Sequence, residues 1–457
     1  MSIRIFPLYF VLILLIQSLA GCRKLVATDT APGLIESVTV FANESTALSA
    51  ISGVYVHMRG SNLLISNGGL SLYTGLAADE IYNTASNSTA DPFFKNTIPA
   101  NSSTVASNFW STAYANIYKI NAILEGISKS SGISEPFKKQ VRGEMKAVRA
   151  LYYFYLVNLF GDVPLVLNTD YRLNSTLART PQQQVYAQII SDLGEAEELL
   201  PVTYVSANKA RPNHWTAIAL LSRVYLYLEQ WEKAEEAATA IINSGMYSLV
   251  TNLNNVFTGN SSETIWQVTS DIGNTAEGAN YIPSSSTVRP TYAISPYLLN
   301  DAELTDLRRT SWMKSNTVSG VPYHYPYKYK VRSGTPITEY NIVLRLSEQY
   351  LIRAEAKAMQ NKVAEGCTDL NVTRSRAQLG AIYFTSRDSL RTAIQQERRI
   401  ELFSEWGHRW LDLKRTQTID AILATRKAPG WESTDALFPI PLAQLQINVF
   451  LQQNPGY

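Results

Sequence analysis

The segment from Thr216 to Ile242 constrains the fold of this chain more than any other stretch. Ile218, Leu221, Tyr225 and Leu228 recur at helical spacing, Glu229-Gln230 makes a polar break, and a second helical pattern begins at Trp231. The pattern is an αα-hairpin. Ser222 and Ala234 stand twelve positions apart, the small-residue spacing of a tetratricopeptide-type repeat, in which small side chains let paired helices approach. Ala354 and Gly366 repeat that spacing, with Leu346, Tyr350, Leu351 and Ala358 along the apolar face of the first helix. Further helices are predicted over Val105–Ile127 and Glu135–Phe160, the latter stopped by Gly161 and Pro164. The fold class is therefore mainly α.

Between the helical blocks, Ser61–Ser103 and Gly245–Pro336 are rich in Asn, Ser, Thr, Gly, Pro and Tyr. Ordered loops of that length carry function or short strands of their own. In Tyr323-His324-Tyr325-Pro326-Tyr327-Lys328-Tyr329-Lys330 the tyrosines alternate, which would put four on one face of a strand, and Pro326 confines that strand to a sheet edge. A stacking platform and a half-buried strand packed on the helices both fit, with the strand favoured.

At the N-terminus, Arg4 precedes an apolar run from Ile5 to Ile16 broken only by Pro7 and Tyr9, and Leu19-Ala20-Gly21-Cys22 follows. The run is too short to span a bilayer core of ~30 Å and suits an export signal. Small residues before a cysteine are the pattern of a bacterial lipoprotein signal, so residues 1–21 are expected to be removed and Cys22 to carry a diacylglyceryl thioether. With Cys22 so used, Cys367 has no partner among the two cysteines, and stability must come from a core, for which 46% hydrophobic residues suffice.

An anchored protein beyond the inner membrane has no ATP or nicotinamide pool, and neither a GxxxxGK[ST] loop nor a strand followed by GxGxxG is found. No cofactor is expected. A net charge of +2 gives no basic face for nucleic acid. His57, His214, His324 and His408 are isolated, so no metal site is expected. Two SxxK matches, at Ser206–Lys209 and Ser311–Lys314, lack the companion motifs of a penicillin-binding fold. Glu397, Glu401 and Glu405 share a helix face, but glycosidase acids flank their substrate at ~5 to 9.5 Å from different elements. Arg398, Arg399, Arg409, Asp412 and Arg415 surround them, which predicts an ion-pair network and no catalytic residue.

Glu397-Arg398-Arg399-Ile400-Glu401-Leu402, Arg409-Trp410-Leu411-Asp412-Leu413-Lys414-Arg415, Leu437-Phe438-Pro439-Ile440-Pro441 and the terminal Gln453-Asn454-Pro455-Gly456-Tyr457 resemble the C-terminal half of the SusD/RagB family of nutrient-binding outer-membrane lipoproteins. Upstream, Glu144–Ala150 with Phe160-Gly161-Asp162-Val163-Pro164-Leu165, Ala210-Arg211-Pro212, Ser295-Pro296-Tyr297, Asp306-Leu307-Arg308-Arg309 and Tyr350–Ala356 resemble it in order and spacing. The resemblance implies a tetratricopeptide-like helix-pair scaffold, an α-α superhelix, with long irregular loops and a few short strands. It divides the chain into an N-terminal part with helix pairs (22–250) and a C-terminal part (251–457), packed as one compact unit. It also implies an outer-membrane protein facing outside, which lids a SusC-like TonB-dependent barrel, captures a glycan or other nutrient and cleaves nothing.

No family motif transfers to the ligand site, so candidates come from chemistry. With 26 Tyr, 8 Trp and only 17% charged residues, the chain suits flat, hydroxyl-rich ligands such as sugars, for which Tyr and Trp offer a stacking face and a polar handle. The candidates are Asp79, Glu80 and Tyr82 in the first loop block, and Trp266, Tyr281, Tyr292, Trp312 and Tyr325 in the second. Trp266, between Ile265 and Val268, suits a core equally well. Alternatives are capture of a peptide, a glycan hydrolase with two acids across a cleft, and a structural repeat protein whose aromatic loops only pack.

Overall fold

A computed structural model describes residues 37–60 and 63–457; Cys22 and the export signal lie outside them. Among the described residues, nine long helices pack each on the next in chain order: α1 (Glu44–Arg59), α2 (Thr112–Lys129), α3 (Glu135–Phe160), α4 (Gln182–Leu199), α5 (His214–Tyr227), α6 (Trp231–Asn243), α7 (Leu346–Met359), α8 (Val363–Arg376) and α9 (Arg387–Glu401). This serial packing is the helix-pair scaffold expected above. Helix starts follow from side-chain caps: the side chains of Asn43, Ser134 and Asn213 accept from the backbone amides of Thr46, Phe137 and Thr216. Gly161, at φ 75°, ends α3, where an L side chain would be strained. The predicted helix from Val105 opens as a π-helical segment, Val105–Ser111, before α2, and Thr112 Oγ1 donates to the Ser107 carbonyl five residues back at 2.7 Å.

The small-residue spacing marks real contacts. A Cβ on Gly366 would lie 3.0 Å from the Ala354 carbonyl oxygen and 2.9 Å from Leu390 Cδ2, so α7, α8 and α9 meet at that glycine. Ser222 and Ala234 are buried, and Ser222 Oγ donates to Gln349 Oε1 at 2.5 Å, tying α5 to α7. One hydrophobic cluster draws on both sides of position 250, from Phe41 through the tyrosines of α3 to Trp406, Trp410 and Phe438.

The inter-helix segments form three antiparallel pairs of short strands: β1 (Ile81–Asn83) with β3 (Tyr292–Ile294), β2 (Thr264–Val268) with β6 (Asn341–Arg345), and β4 (Met313–Val318) with β5 (Val321–Pro326). The alternating tyrosines do form a strand, but it ends at Pro326. Only Tyr323 and Tyr325 share its face, opposite Asn316 and Lys314, and the four-tyrosine face is corrected to two. Much of the first loop block is interior: Leu70–Thr74 is a fully buried π-helical turn.

Two further helices, α10 (His408–Arg415) and α11 (Ile419–Arg426), follow α9 and complete the buried ionic network. Glu401 accepts from Arg308 at 2.9 Å and Arg345 at 2.6 Å and pairs also with Arg376; Glu397 accepts from Arg308 at 2.7 Å; Arg345 reaches Glu405 at 2.8 Å. Arg398 pairs with Asp412 at 2.8 Å and Arg415 with Glu355 at 2.7 Å. An ion-pair network is present as expected, but the helix ends at Glu401 before Glu405, and the partners of Glu397 and Glu401 are Arg308, Arg345 and Arg376 from other elements in place of Arg398, Arg399, Arg409 and Arg415.

Candidate functional site

The structure buries seven of the eight candidate side chains. Asp79 is enclosed by Arg399 at 3.0 Å, Arg409 at 2.8 Å and Arg426. Burial alone would raise its carboxyl, but hydrogen bonds from Arg409 and the charges of Arg399, Arg409 and Arg426 hold it well below the usual carboxylate range. Glu80 lies beside it with far weaker support, a 3.3 Å bond from the Ser404 amide, and burial pushes its carboxyl up to about 7. Trp266 donates through Nε1 to the Ala210 carbonyl at 3.0 Å, and Trp312 to the Leu253 carbonyl at 2.9 Å. The Trp312 ring is faced by Lys328 at 4.7 Å. Tyr281, Tyr292 and Tyr325 are also buried. Asp79, Glu80, Trp266, Tyr281, Tyr292, Trp312 and Tyr325 are therefore corrected to interior side chains. The loops that carry them fold back on the helices, and each indole N–H is already bonded to backbone.

Tyr82 alone stays half-exposed, and it has neighbours that sequence reasoning passed over. Its hydroxyl is pushed up by burial and by Tyr323, and lowered by Arg289. Arg289 lies 5.9 Å from the Tyr323 ring centre. The arrangement follows from local bonds. Thr84 binds the Thr291 and Pro290 carbonyls, at 3.0 Å and 2.6 Å, joining β1 to the segment that bears Arg289. Asn316 of β4 donates to the Ser285 and Val288 carbonyls at 2.8 Å and 2.7 Å, fixing the same segment on the β4–β5 hairpin. Farther along that hairpin, Lys314 and Lys330 lie 4.7 Å and 4.3 Å from the centre of the half-exposed Tyr327 ring. The interleaved lysines and tyrosines of residues 323–330 were the available signal for this face.

A second concavity of about 560 Å³ opens between α1 and the segments flanking β2, lined by Tyr55, Arg59, Asn208, Arg211, Asp271 and Tyr340. Arg211 grips Glu144 with two bonds, 2.8 Å and 2.7 Å, and the Tyr55 hydroxyl donates to the same carboxylate at 2.7 Å. The volume falls within the ~300–1,000 Å³ range of small-ligand pockets. Among the described residues no group of three His, Cys, Asp or Glu is placed to hold a metal, and no helix is long and apolar enough to cross a membrane.

Comparison with known proteins bears on the whole chain. Residues 71–226 match a family described as starch-binding associating with outer membrane, and residues 303–457 match the SusD family. A SusD-like protein of Formosa agariphila is 26% identical, with 98% of each chain covered. Among solved structures, a SusD superfamily protein from Bacteroides vulgatus superposes with a TM-score of 0.81 at 21% identity, covering 91% of this chain and 99% of that one. A laminarin binding SusD-like protein superposes with a TM-score of 0.76 at 25% identity, covering 91% of this chain and all of that one. With its sequence motifs, its serial helix pairs and its matches at both ends in agreement, the chain belongs to the SusD/RagB family.

Proposed function

We propose that this protein is a cell-surface lipoprotein, anchored through Cys22 in the outer membrane, that captures an oligosaccharide or glycan and hands it to a SusC-like TonB-dependent transporter. The observation that carries the reading is the set of half-exposed tyrosines Tyr82 on β1, Tyr323 on β5 and Tyr327 just after β5, set beside cations. Rings positioned in that way offer stacking surface to a sugar at little entropic cost. The binding of laminarin by a relative of the same fold supports it. Capture without cleavage accords with Glu397 and Glu401 of α9 and with Glu405 just beyond it, all three engaged by basic groups.

The concavity at Tyr55 and Tyr340 is the competing seat for the ligand, favoured by its volume. One experiment separates the two. Full-length protein, purified in detergent, is titrated with soluble glycans, and each ligand is chromatographed before and after. The reading expects one glycan class to be retained intact, with retention abolished by Tyr323→Ala and not by Tyr340→Ala. The reverse sensitivity would move the site to the concavity, and shortened ligand would replace capture with hydrolysis. Co-expression with the cognate barrel should co-purify the two; separate elution would contradict the hand-off.

A further inference from the structure

Resting on the capture reading, we infer that the ligand is an anionic oligosaccharide, one bearing carboxylate or sulfate groups, seated along Tyr82, Tyr323 and Tyr327 with Arg289 and Lys314 as its charge partners. The first observation is an imbalance of charge. Throughout the interior, guanidinium groups meet carboxylates: Arg308, Arg345, Arg376, Arg398, Arg399, Arg409 and Arg415 each pair with Asp or Glu. On this face the rule lapses. Arg289 and Lys314 are exposed, and among the described residues the aromatic rings of Tyr323 and Tyr327 are their neighbours rather than any ion-pair partner. The carboxylate beside Lys330, Glu339, is buried and accepts from the Lys330 and Val331 amides at 2.6 Å and 3.0 Å, so it is turned away from Arg289 and Lys314 as a pairing partner.

The second observation is the balance of donors and acceptors. A neutral sugar presents hydroxyls that both donate and accept, and a site for it supplies acceptors as well as donors. Here the amide donors are spent: Asn316 donates to two loop carbonyls, and Asn83 to the Ala85 carbonyl and Asp91. The donors left to a ligand are the Arg289 guanidinium and the Lys314 ammonium, both exposed, and charged N–H donors of that kind complement carboxylate or sulfate oxygens. The third observation is spacing. Tyr323 and Tyr327, each with its own cation, are four residues apart on extended chain, roughly 13 Å at strand rise. A ligand meeting both must be longer than one sugar.

The test uses full-length protein in detergent and four probes: polygalacturonate for carboxylates, carrageenan for sulfates, laminarin as a neutral glycan and polyglutamate as a polyanion without sugar rings. At low ionic strength, one or both acidic glycans should bind at least about tenfold more tightly than laminarin and polyglutamate, and the excess should fall as salt screens the pairs. Carboxylate and sulfate sources are told apart by which acidic glycan wins. Arg289→Gln with Lys314→Gln should erase the excess while the unfolding temperature holds, since both side chains are exposed. Laminarin binding as tightly as the acidic glycans, with the double variant unchanged, would overturn the anionic class and leave capture standing. Polyglutamate binding equally would reduce the face to simple charge adsorption and overturn the inference. Failure to bind any glycan would overturn the capture reading as well.

Discussion

Glu80 and Asp79 are adjacent in sequence, both buried, and opposite in their proton chemistry. Three guanidiniums keep Asp79 ionised, whereas burial lifts Glu80 to about 7 and likewise lifts Glu277, whose oxygens meet only Ser71 and Asn341. A carboxyl whose folded pKa is raised contributes most stability below its unfolded value, ~4.3, and loses it as pH rises toward the folded value. The protein should therefore lose stability between about pH 4 and 7 through these two groups. Glu80→Gln and Glu277→Gln should each flatten that decline and gain about 2 kcal/mol at pH 7.5 relative to wild type, measured by urea unfolding across the pH range. An unchanged pH profile in both variants would show that neither carboxyl is held neutral. At this scale the sequence was least informative. Trp312 reads as a loop aromatic, yet its N–H partner is the Leu253 carbonyl, 59 residues away, and no local pattern encodes that contact. Tyr82 remained at the surface for an equally non-local reason, since β1 pairs with β3 more than two hundred residues on.

At the scale of elements, periodicity and caps carried most of the information. Glu135–Phe160 is helical over the whole predicted range, because the Ser134 cap and Gly161 stop are local chemistry. The π-helical segments escaped notice because their wider turns shift the 3.6-residue pattern, and the tyrosine strand ended early because Pro326 cannot continue it. The twelve-residue spacing of Ala354 and Gly366 gave the clearest tertiary statement in the sequence. Gly366→Val would push side-chain atoms against a backbone carbonyl that cannot move without moving α7. It should cost about 3 kcal/mol by overpacking, read from the denaturation midpoint. A loss below about 0.5 kcal/mol would mean that the helices separate freely and that the glycine does not set their distance.

Across the whole molecule, the buried ionic network joins elements far apart in sequence. Glu401 on α9 gathers Arg308, Arg345 from the end of β6 and Arg376 from the end of α8. Glu401→Gln would leave three guanidiniums facing one another without their shared carboxylate, with an expected loss of about 3–5 kcal/mol in chemical denaturation. Stability within 1 kcal/mol of wild type would show that the remaining acids, Glu263, Glu397 and Glu405, suffice alone. The network also reaches the segment after β5, where Lys328 pairs with Glu405, and an aromatic face fixed before binding loses little entropy on capture. The measurement that tests the central claim most directly is calorimetric titration of the retained glycan into wild-type protein and into the Tyr82→Ala, Tyr323→Ala double variant. The account predicts affinity lowered at least about tenfold in the variant, with an unfolding temperature close to wild type and ligand recovered intact. Unchanged affinity in a folded variant would contradict it.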